Sequence, residues 1–317
     1  MEMNADRFLV DIVKEIAREE DIELTSFSYD WIIRLTKGSI HKHIMGYDFE
    51  LNSSTAQVIA KDKSATSDLL IYNEVPCVEH KLFMAPQNMM YVGVTGNWKE
   101  IIAYSKKHKY NVVCKTNVGT GGNDVIHTKN QYELENAVHE LFTKHRAISL
   151  SPFYKIDNEY RIFLLNYEPL LIYSKKKPVI TGDGKTTVFG LLGTSFEEDD
   201  LVRIFKELDE NSGIPLSQVL KKGRKIELSW KHNLGKGSKP VLIKSGDLRN
   251  KLSKLAVSAA KAINIQFASI DIVEIEHEYR VLEINSGIMM EAFSKFAENG
   301  YLIAKGLYKK AILEMLK

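Results

Sequence analysis

Cysteine is nearly absent, with only Cys77 and Cys114 in 317 residues. That excludes a disulfide framework, and no His/Cys cluster or HExxH motif is present to bind zinc. No apolar run approaches the ~18 residues needed to cross a bilayer. The opening MEMNADRFLVDIVKEIAREE is acidic and amphipathic, where a signal peptide would be basic and then apolar. A charge of one sign is also missing: 43 Lys and Arg stand against 41 Asp and Glu, so no basic field predicts nucleic acid as a partner. These absences predict a cytoplasmic, water-soluble protein that engages neither nucleic acid nor membrane.

What is present suits a globular chain of about two domains' length, 44% hydrophobic and 26% charged. Residues 6 to 19 place Phe8, Leu9, Ile12, Val13, Ile16 and Ala17 on one helical face, with Asn4 as the expected cap. Residues up to about 60 show no strong pattern and read as a small N-terminal lobe. Helices are predicted near 98–108, 129–145, 196–210, 247–263 and 299–316, and a strand over YNVVCK. Two strands are predicted within 159–175 and a hairpin over 267–287. Helices mixed with hairpins predict an α+β architecture of several lobes.

Two nucleotide motifs fail. GDGKTT at 182–187 has Val179 where a Walker A loop needs glycine, and GTGGND at 119–124 ends in Asp124 where a dinucleotide fingerprint needs its last glycine. The loop in VVCKTNVGTGGNDVI still brings three glycines behind Lys115 at a strand end. A plain hairpin turn also uses glycines, but backbone N–H groups and a fixed cation favour a bound phosphate. His41 and His43 read as surface residues, Cys77 and Cys114 as core, Met289 and Met290 as packing.

The hairpin at 267–287 is more specific. A turn centred on His277 pairs Ile270 with Ile284, Ile272 with Leu282, and Glu274 with Arg280. Val273 then meets Val281, Asp271 faces Glu283, and Asn285 lies two residues further along the same face. Two carboxylates roughly 5 Å apart repel unless a cation sits between them. A solvated acidic pair leaves unexplained why both lie at the apolar end, away from the turn. Oxygen donors from Asp, Glu and Asn suit Mg²⁺ completed by water and phosphate.

A glycine loop after a lysine-bearing strand, followed far downstream by Asp…Glu-x-Asn on a hairpin, resembles the ATP-grasp superfamily of carboxylate–amine ligases. The resemblance runs from about Lys61 to the C-terminus, roughly four-fifths of the chain. It is nearest to the cyanophycin synthetase, bifunctional glutathione synthetase and ribosomal-protein glutamate ligase branches. Asp62-Lys63 with NEVP, KTNVGTGG, EYR, KKPVITGDGKTTV, IPLSQVLKKGRKIEL, KHNLGKGS, DIV and VLEIN carry it in order.

The resemblance implies an ATP-grasp fold in which two α+β lobes grip ATP, a small lid subdomain (61–150) and a large catalytic subdomain (151–317), preceded by a short N-terminal lobe (1–60). It implies that Lys63 and Lys115 hold ATP, that Gly119, Gly121 and Gly122 form the lid, and that Leu150 to Tyr154 is the hinge. Glu159 would bind ribose, with Arg161 and Lys177 near phosphates or substrate. Lys231 would steady the transferred phosphoryl group, and Asn233 matches a loop asparagine. Asp271, Glu283 and Asn285 match the ligands of Mg²⁺, two ions by family habit, with Mn²⁺ able to substitute. The implied reaction joins an amino acid or peptide carboxylate to an amine acceptor through an acyl phosphate, and relatives often form dimers or tetramers, so a homo-oligomer is within expectation. A non-catalytic ATP-binding module and a small-molecule kinase are the alternatives. Thr116 replaces a usual proline, Pro152 replaces a usual hinge acid, and SGIMMEAF after Asn285 replaces a usual Pro-Gly segment. With so short an N-terminal lobe, a peptide or protein entering an open cleft fits the pattern.

Overall fold

The computed structural model describes residues 7–317 apart from 92–97, 120, 121, 123, 197, 199, 200, 202, 203 and 206–214. A five-stranded antiparallel sheet organises the larger part, in the order Lys239–Leu242, Glu168–Lys176, Asn158–Leu165, Phe267–Ile275, Glu278–Asn285. Near-continuous β-branched and aromatic runs such as FASIDIV build its centre, where Phe267, Ala268, Ile270, Ile272 and Val273 are all buried. One face is covered by the helices Ser54–Lys61, Lys63–Tyr72 and Asp247–Ala262 through Ala56, Ala60, Leu70, Leu252, Ala256 and Ala259.

A second, four-stranded antiparallel sheet runs Lys81–Met84, Ala147–Pro152, Val112–Thr116, Val125–Thr128. The helices Trp98–Lys107 and Gln131–Lys144 close its own core around Phe83, Ile101, Leu134, Leu141 and Leu150. Residues 179–228 add a small satellite: a two-stranded ladder, Val179–Thr181 with Lys225–Glu227, and the helix Val188–Ser195 around Ile180, Leu192 and Leu220. Much of the helix expected near 196–210 lies outside the described residues.

The first 50 residues hold more order than their pattern suggests. The helix Phe8–Glu19 buries the predicted face, except that Phe8 is only partly covered. Asn4 lies outside the described residues; Glu291, distant in sequence, accepts from the N–H groups of Phe8 (2.9 Å) and Leu9 (3.3 Å). An antiparallel meander follows, Glu23–Phe27, Ile32–Lys37, Ile40–Met45 and Asp48–Phe49. Its Ile33, Leu35, Ile44 and Phe49 share one core with the first helix, with Phe163, Tyr173 and Phe267 of the large sheet, and with the helix Gly300–Met315. Among the described residues no helix is long and apolar enough to cross a membrane.

The 267–287 hairpin corrects one expectation. Ser269–Asn285, Ile270–Ile284 and Asp271–Glu283 pair as the register predicts, but a bulge follows Asp271 and shifts the rest by one. Ile272 then faces Val281 instead of Leu282, and Val273 faces Arg280 instead of Val281. The turn is two residues, Glu276 and His277, both left-handed (φ 51° and 69°), as a primed hairpin turn requires. That turn and the carboxylate pair demand registers differing by one residue, and the bulge absorbs the difference. Glu274 therefore pairs with Tyr279 across the ladder and accepts from Tyr160 Oη (2.7 Å), while Arg280 bonds Glu278.

Candidate active site

Neighbouring strands of the large sheet set a polar row across one face. Glu283 lies opposite Asp271, Asp271 opposite Arg161, and Arg161 opposite Tyr173. Strand periodicity puts Lys175, two residues past Tyr173, on that same face. Arg161 grips Asp271 with two hydrogen bonds, Nε to Oδ1 at 2.7 Å and Nη2 to Oδ2 at 2.6 Å. Lys175 Nζ bridges Asp271 Oδ2 (2.9 Å) and Glu159 Oε1 (2.5 Å). Asp271, Lys175 and Glu159 are almost wholly withdrawn from water, Asp271 being 1% exposed, while Arg161 is partly open to the cavity.

Burial alone would raise the Asp271 carboxyl, but Arg161 and Lys175 hold it far below the ordinary carboxylate range. Burial pushes Glu159 up to about 7, with Asp271 and Glu283 adding to the rise against the pull of Lys175. Glu283, at the open end of the row, accepts from Asn285 Nδ2 at 3.2 Å.

The facing wall comes from the four-stranded sheet and the helix Lys63–Tyr72. Asp62 caps that helix, its carboxylate accepting from Ala65 N at 2.8 Å, so Lys63 sits at the positive end of the helix. Lys63 Nζ donates to the Gly119 carbonyl at 2.9 Å and so holds the glycine loop. A Cβ on Gly119 would meet Thr116 Cγ2 at 2.6 Å. Gly122 has φ +69° and its absent Cβ would lie 3.1 Å from Asn233 Nδ2, so the glycine loop rests against the 230–235 segment. Gly121 lies outside the described residues. Lys115 is buried, and burial, reinforced by Lys63 and opposed by Glu283, brings its ammonium down to about 8.

Both walls line one cavity of about 770 Å³. It brings together Lys63, Lys115, Gly119, Gly122, Glu159, Arg161, Lys231, Asn233, Asp271, Glu283 and Asn285. Lys177 lines no part of it and pairs with Glu227 at 2.8 Å. Between the two sheets the lining is apolar, with Val113, Ile156, Ile275 and Leu282 beside Phe153 and Trp230. Phe153, inside the expected hinge, stacks on His127 at 3.7 Å between centroids.

Lys175, Trp230 and His232, which have no role in the sequence-based expectation, also line the cavity. His232 is buried, its Nδ1 2.8 Å from the Lys175 carbonyl, and burial lowers its imidazole to about 4. The run LLIYSKK hints at Lys175 through the alternation Tyr173–Lys175, but only strand pairing sets it beside Glu159 and Asp271. His232 lies inside the segment KHNLGKGS, between two residues given roles there, and no sequence signal marks Trp230.

Glu283 and Asn285 present oxygen donors side by side, with Asp271 across the ladder, a donor set that suits a hard divalent cation. Both Asp271 oxygens already hold Arg161 and Lys175, and among the described residues no group of three His, Cys, Asp or Glu side chains could hold an ion by itself. The fit is therefore partial in protein ligands and suits an ion that takes the rest of its shell from phosphate and water.

Residues 218–307 match the RimK-like ATP-grasp domain family. No curated protein matches the chain. Among solved structures, a bifunctional glutathione synthetase from Pasteurella multocida is similar over 95% of this chain and 44% of its own, at 15% identity and a TM-score of 0.56. A D-alanine–D-alanine ligase from Bacillus anthracis is similar over 84% of this chain and 68% of its own, at 14% identity and a TM-score of 0.54. The chain thus spans less than half the length of the Pasteurella protein. The shared architecture is the ATP-grasp fold.

Proposed function

We propose that this ATP-grasp chain is an ATP- and Mg²⁺-dependent ligase that joins an amino acid or peptide carboxylate to an amine through an acyl phosphate. The observation that carries the reading is one cavity in which Lys63 and Lys115 face the row Glu283–Asp271–Arg161. A phosphate chain needs cations along one side and, on the other, oxygen donors for the ion that accompanies it. The apolar slot beside Phe153 and Trp230 suits a purine base.

Glu283 and Asn285 would hold Mg²⁺ first, with Asp271 sharing it at the expense of Arg161 or Lys175. Bound there, the ion would neutralise charge on the transferring phosphoryl group. Lys115 and Lys63 would orient the phosphates, and Lys231 and Asn233 would close over them from the 230–235 segment. Arg161, fixed by Asp271, would direct the carboxylate oxygen in line with the γ-phosphorus. Transfer of the phosphoryl group from ATP to that oxygen leaves ADP and an acyl phosphate. The amine then attacks the acyl carbon, expels inorganic phosphate and loses a proton to give the amide. Positioning and charge neutralisation carry such a reaction without a protein nucleophile. Contact of the glycine loop with Asn233 would exclude the water that hydrolyses an acyl phosphate.

Hydroxylamine intercepts acyl phosphates. With ATP, Mg²⁺, pooled amino acids and short peptides, a hydroxamate is expected whose formation requires Glu283. Consumption of ATP with a phosphorylated alcohol and no hydroxamate would replace the ligase reading by a kinase. Nucleotide binding with no turnover on any extract fraction would leave a binding module.

Lys115 makes a pH prediction. Phosphates bind its charged form, so affinity for a non-hydrolysable ATP analogue should fall as pH rises through about 8, by up to about tenfold per unit. Calorimetry across that range checks it, and Lys115→Arg should flatten the slope.

A further inference from the structure

The cavity continues past the polar row to an apolar end that the nucleotide reading does not use. There the wall is Trp31, Met45 and Tyr47 of the N-terminal meander, with Met289, Ala292 and Phe293 opposite. Three of these are large apolar side chains left open to water: Trp31 at 47%, Met45 at 58% and Met289 at 49% exposed. Large apolar groups clustered at the mouth of a cavity mark a surface that something covers.

The setting of Trp31 is built at some conformational cost. Ser28, Tyr29 and Asp30, just before it, are all left-handed (φ 51°, 56° and 63°), a region that non-glycine residues enter singly and seldom in succession. The strained turn is tied down by Arg7 Nη1 to the Asp30 carbonyl (3.0 Å) and by Lys14 to Asp30 Oδ2 (3.2 Å). Arg7 also lies over the Trp31 ring, 5.0 Å from its centroid, and bonds the Gly46 carbonyl at 2.8 Å. Gly46, at φ +60°, must lack a side chain, because a Cβ there would come within 2.9 Å of Trp31 Cζ2. A turn in strained backbone, a cation on the ring and a glycine beneath it all act to hold one indole at the cavity mouth. Local strain of this kind clusters at ligand-contacting sites.

We infer that Trp31, with Met45 and Met289, is the specificity surface for the acyl substrate, and that this substrate is an amino acid or peptide whose reacting residue carries a large apolar side chain. Arg161 and Glu283 line the same cavity as this surface, so a side chain resting on the indole leaves its carboxylate free to reach the phosphoryl-transfer end. Among the described residues the carboxylates that line this end are Asp48 and Glu291, and both are engaged. Asp48 takes Lys61 (2.7 Å) and Ser286 (3.0 Å), and Glu291 takes Tyr47 Oη (2.9 Å) and the first helix. Neither is placed to attract a basic side chain, and the cations beside this wall are engaged as well, Lys61 by Asp48 and Arg7 by the Asp30 and Gly46 carbonyls, so neither is placed to attract an acidic one.

The inference rests on the ligase reading for its carboxylate but is tested by binding, so the two can fail separately. Full-length protein with Mg²⁺ and a non-hydrolysable ATP analogue is titrated by calorimetry with N-acetyl-leucine, N-acetylphenylalanine, N-acetylglutamate and N-acetyl-lysine at millimolar concentration. The two apolar acids should bind at least about tenfold more tightly than the charged ones. Trp31→Ala should weaken them about tenfold without altering affinity for the nucleotide, and Trp31→Phe should restore most of the loss. Equal or tighter binding of the charged acids, wild-type affinity in Trp31→Ala, or no binding of the apolar acids would each overturn it. Bound apolar acids that never yield a hydroxamate would overturn the ligase reading alone.

Discussion

Glu283→Gln is expected to lower ATP-dependent turnover roughly 10²–10³-fold, the range for removing one preorganised electrostatic contact to a reacting group. The same substitution should leave the fold intact or make it slightly more stable. Glu283 is only partly buried, faces Asp271 across the ladder, and contributes like-charge repulsion there. It also supplies the negative charge that keeps protons on Lys115 and Lys63, so its loss weakens the cationic wall as well as the ion site. ADP release and a thermal melt on the same preparation check both halves. Full turnover by a stable Glu283→Gln protein would place the ion elsewhere. A fall in melting temperature matching the fall in rate would make the residue structural.

The largest effect on stability belongs to Asp271. Asp271→Asn removes the buried charge that offsets Lys175, itself buried, and the partly buried Arg161, and is expected to cost about 3–5 kcal/mol, as breaking a buried pair from one side does. The cost arises because the cations stay where hydration is restricted, Lys175 buried and Arg161 partly so, and it should be partly undone by removing one. Asp271→Asn combined with Arg161→Met should be more stable than Asp271→Asn alone, by guanidinium unfolding midpoints of all three proteins. The sign with pH follows from the same contacts. A carboxyl depressed in the folded state contributes stability that is complete above its unfolded value of about 3.9 and is lost as pH falls below it. The acid limb of the wild-type stability curve should therefore be steeper than that of Asp271→Asn. Equal stability of wild type and Asp271→Asn would mean that Arg161 and Lys175 find other partners.

Much of the candidate site was legible because it lies in short local patterns. The strand–Lys115–glycine loop and the Asp271/Glu283/Asn285 spacing each sit within one turn or one hairpin, where period-two alternation tells which residues share a face. Periodicity likewise marked the helix at 247–263 and the apolar face of the first helix. The hairpin register was right where a carboxylate pair and an isoleucine pair constrain it and wrong toward the turn. A bulge leaves no mark in the sequence when either neighbour could be the extra residue.

Local sequence specifies the kind of parts: alternating apolar strands, a lysine before a glycine loop, an oxygen-donor hairpin, and too little cysteine for a disulfide framework. Which of those parts meet is a property of the folded chain. Strand order, which no local pattern encodes, put Arg161 against Asp271 from 110 residues away and turned Lys175 into the cavity while Lys177 turned to Glu227. A residue 283 positions distant, Glu291, caps the first helix. The meander after it, weak in pattern because many of its side chains stay partly or fully exposed, becomes the wall that carries Trp31. Local propensity is written residue by residue, but proximity across a sheet depends on the order in which strands are laid down, and that is settled by burial of the whole core.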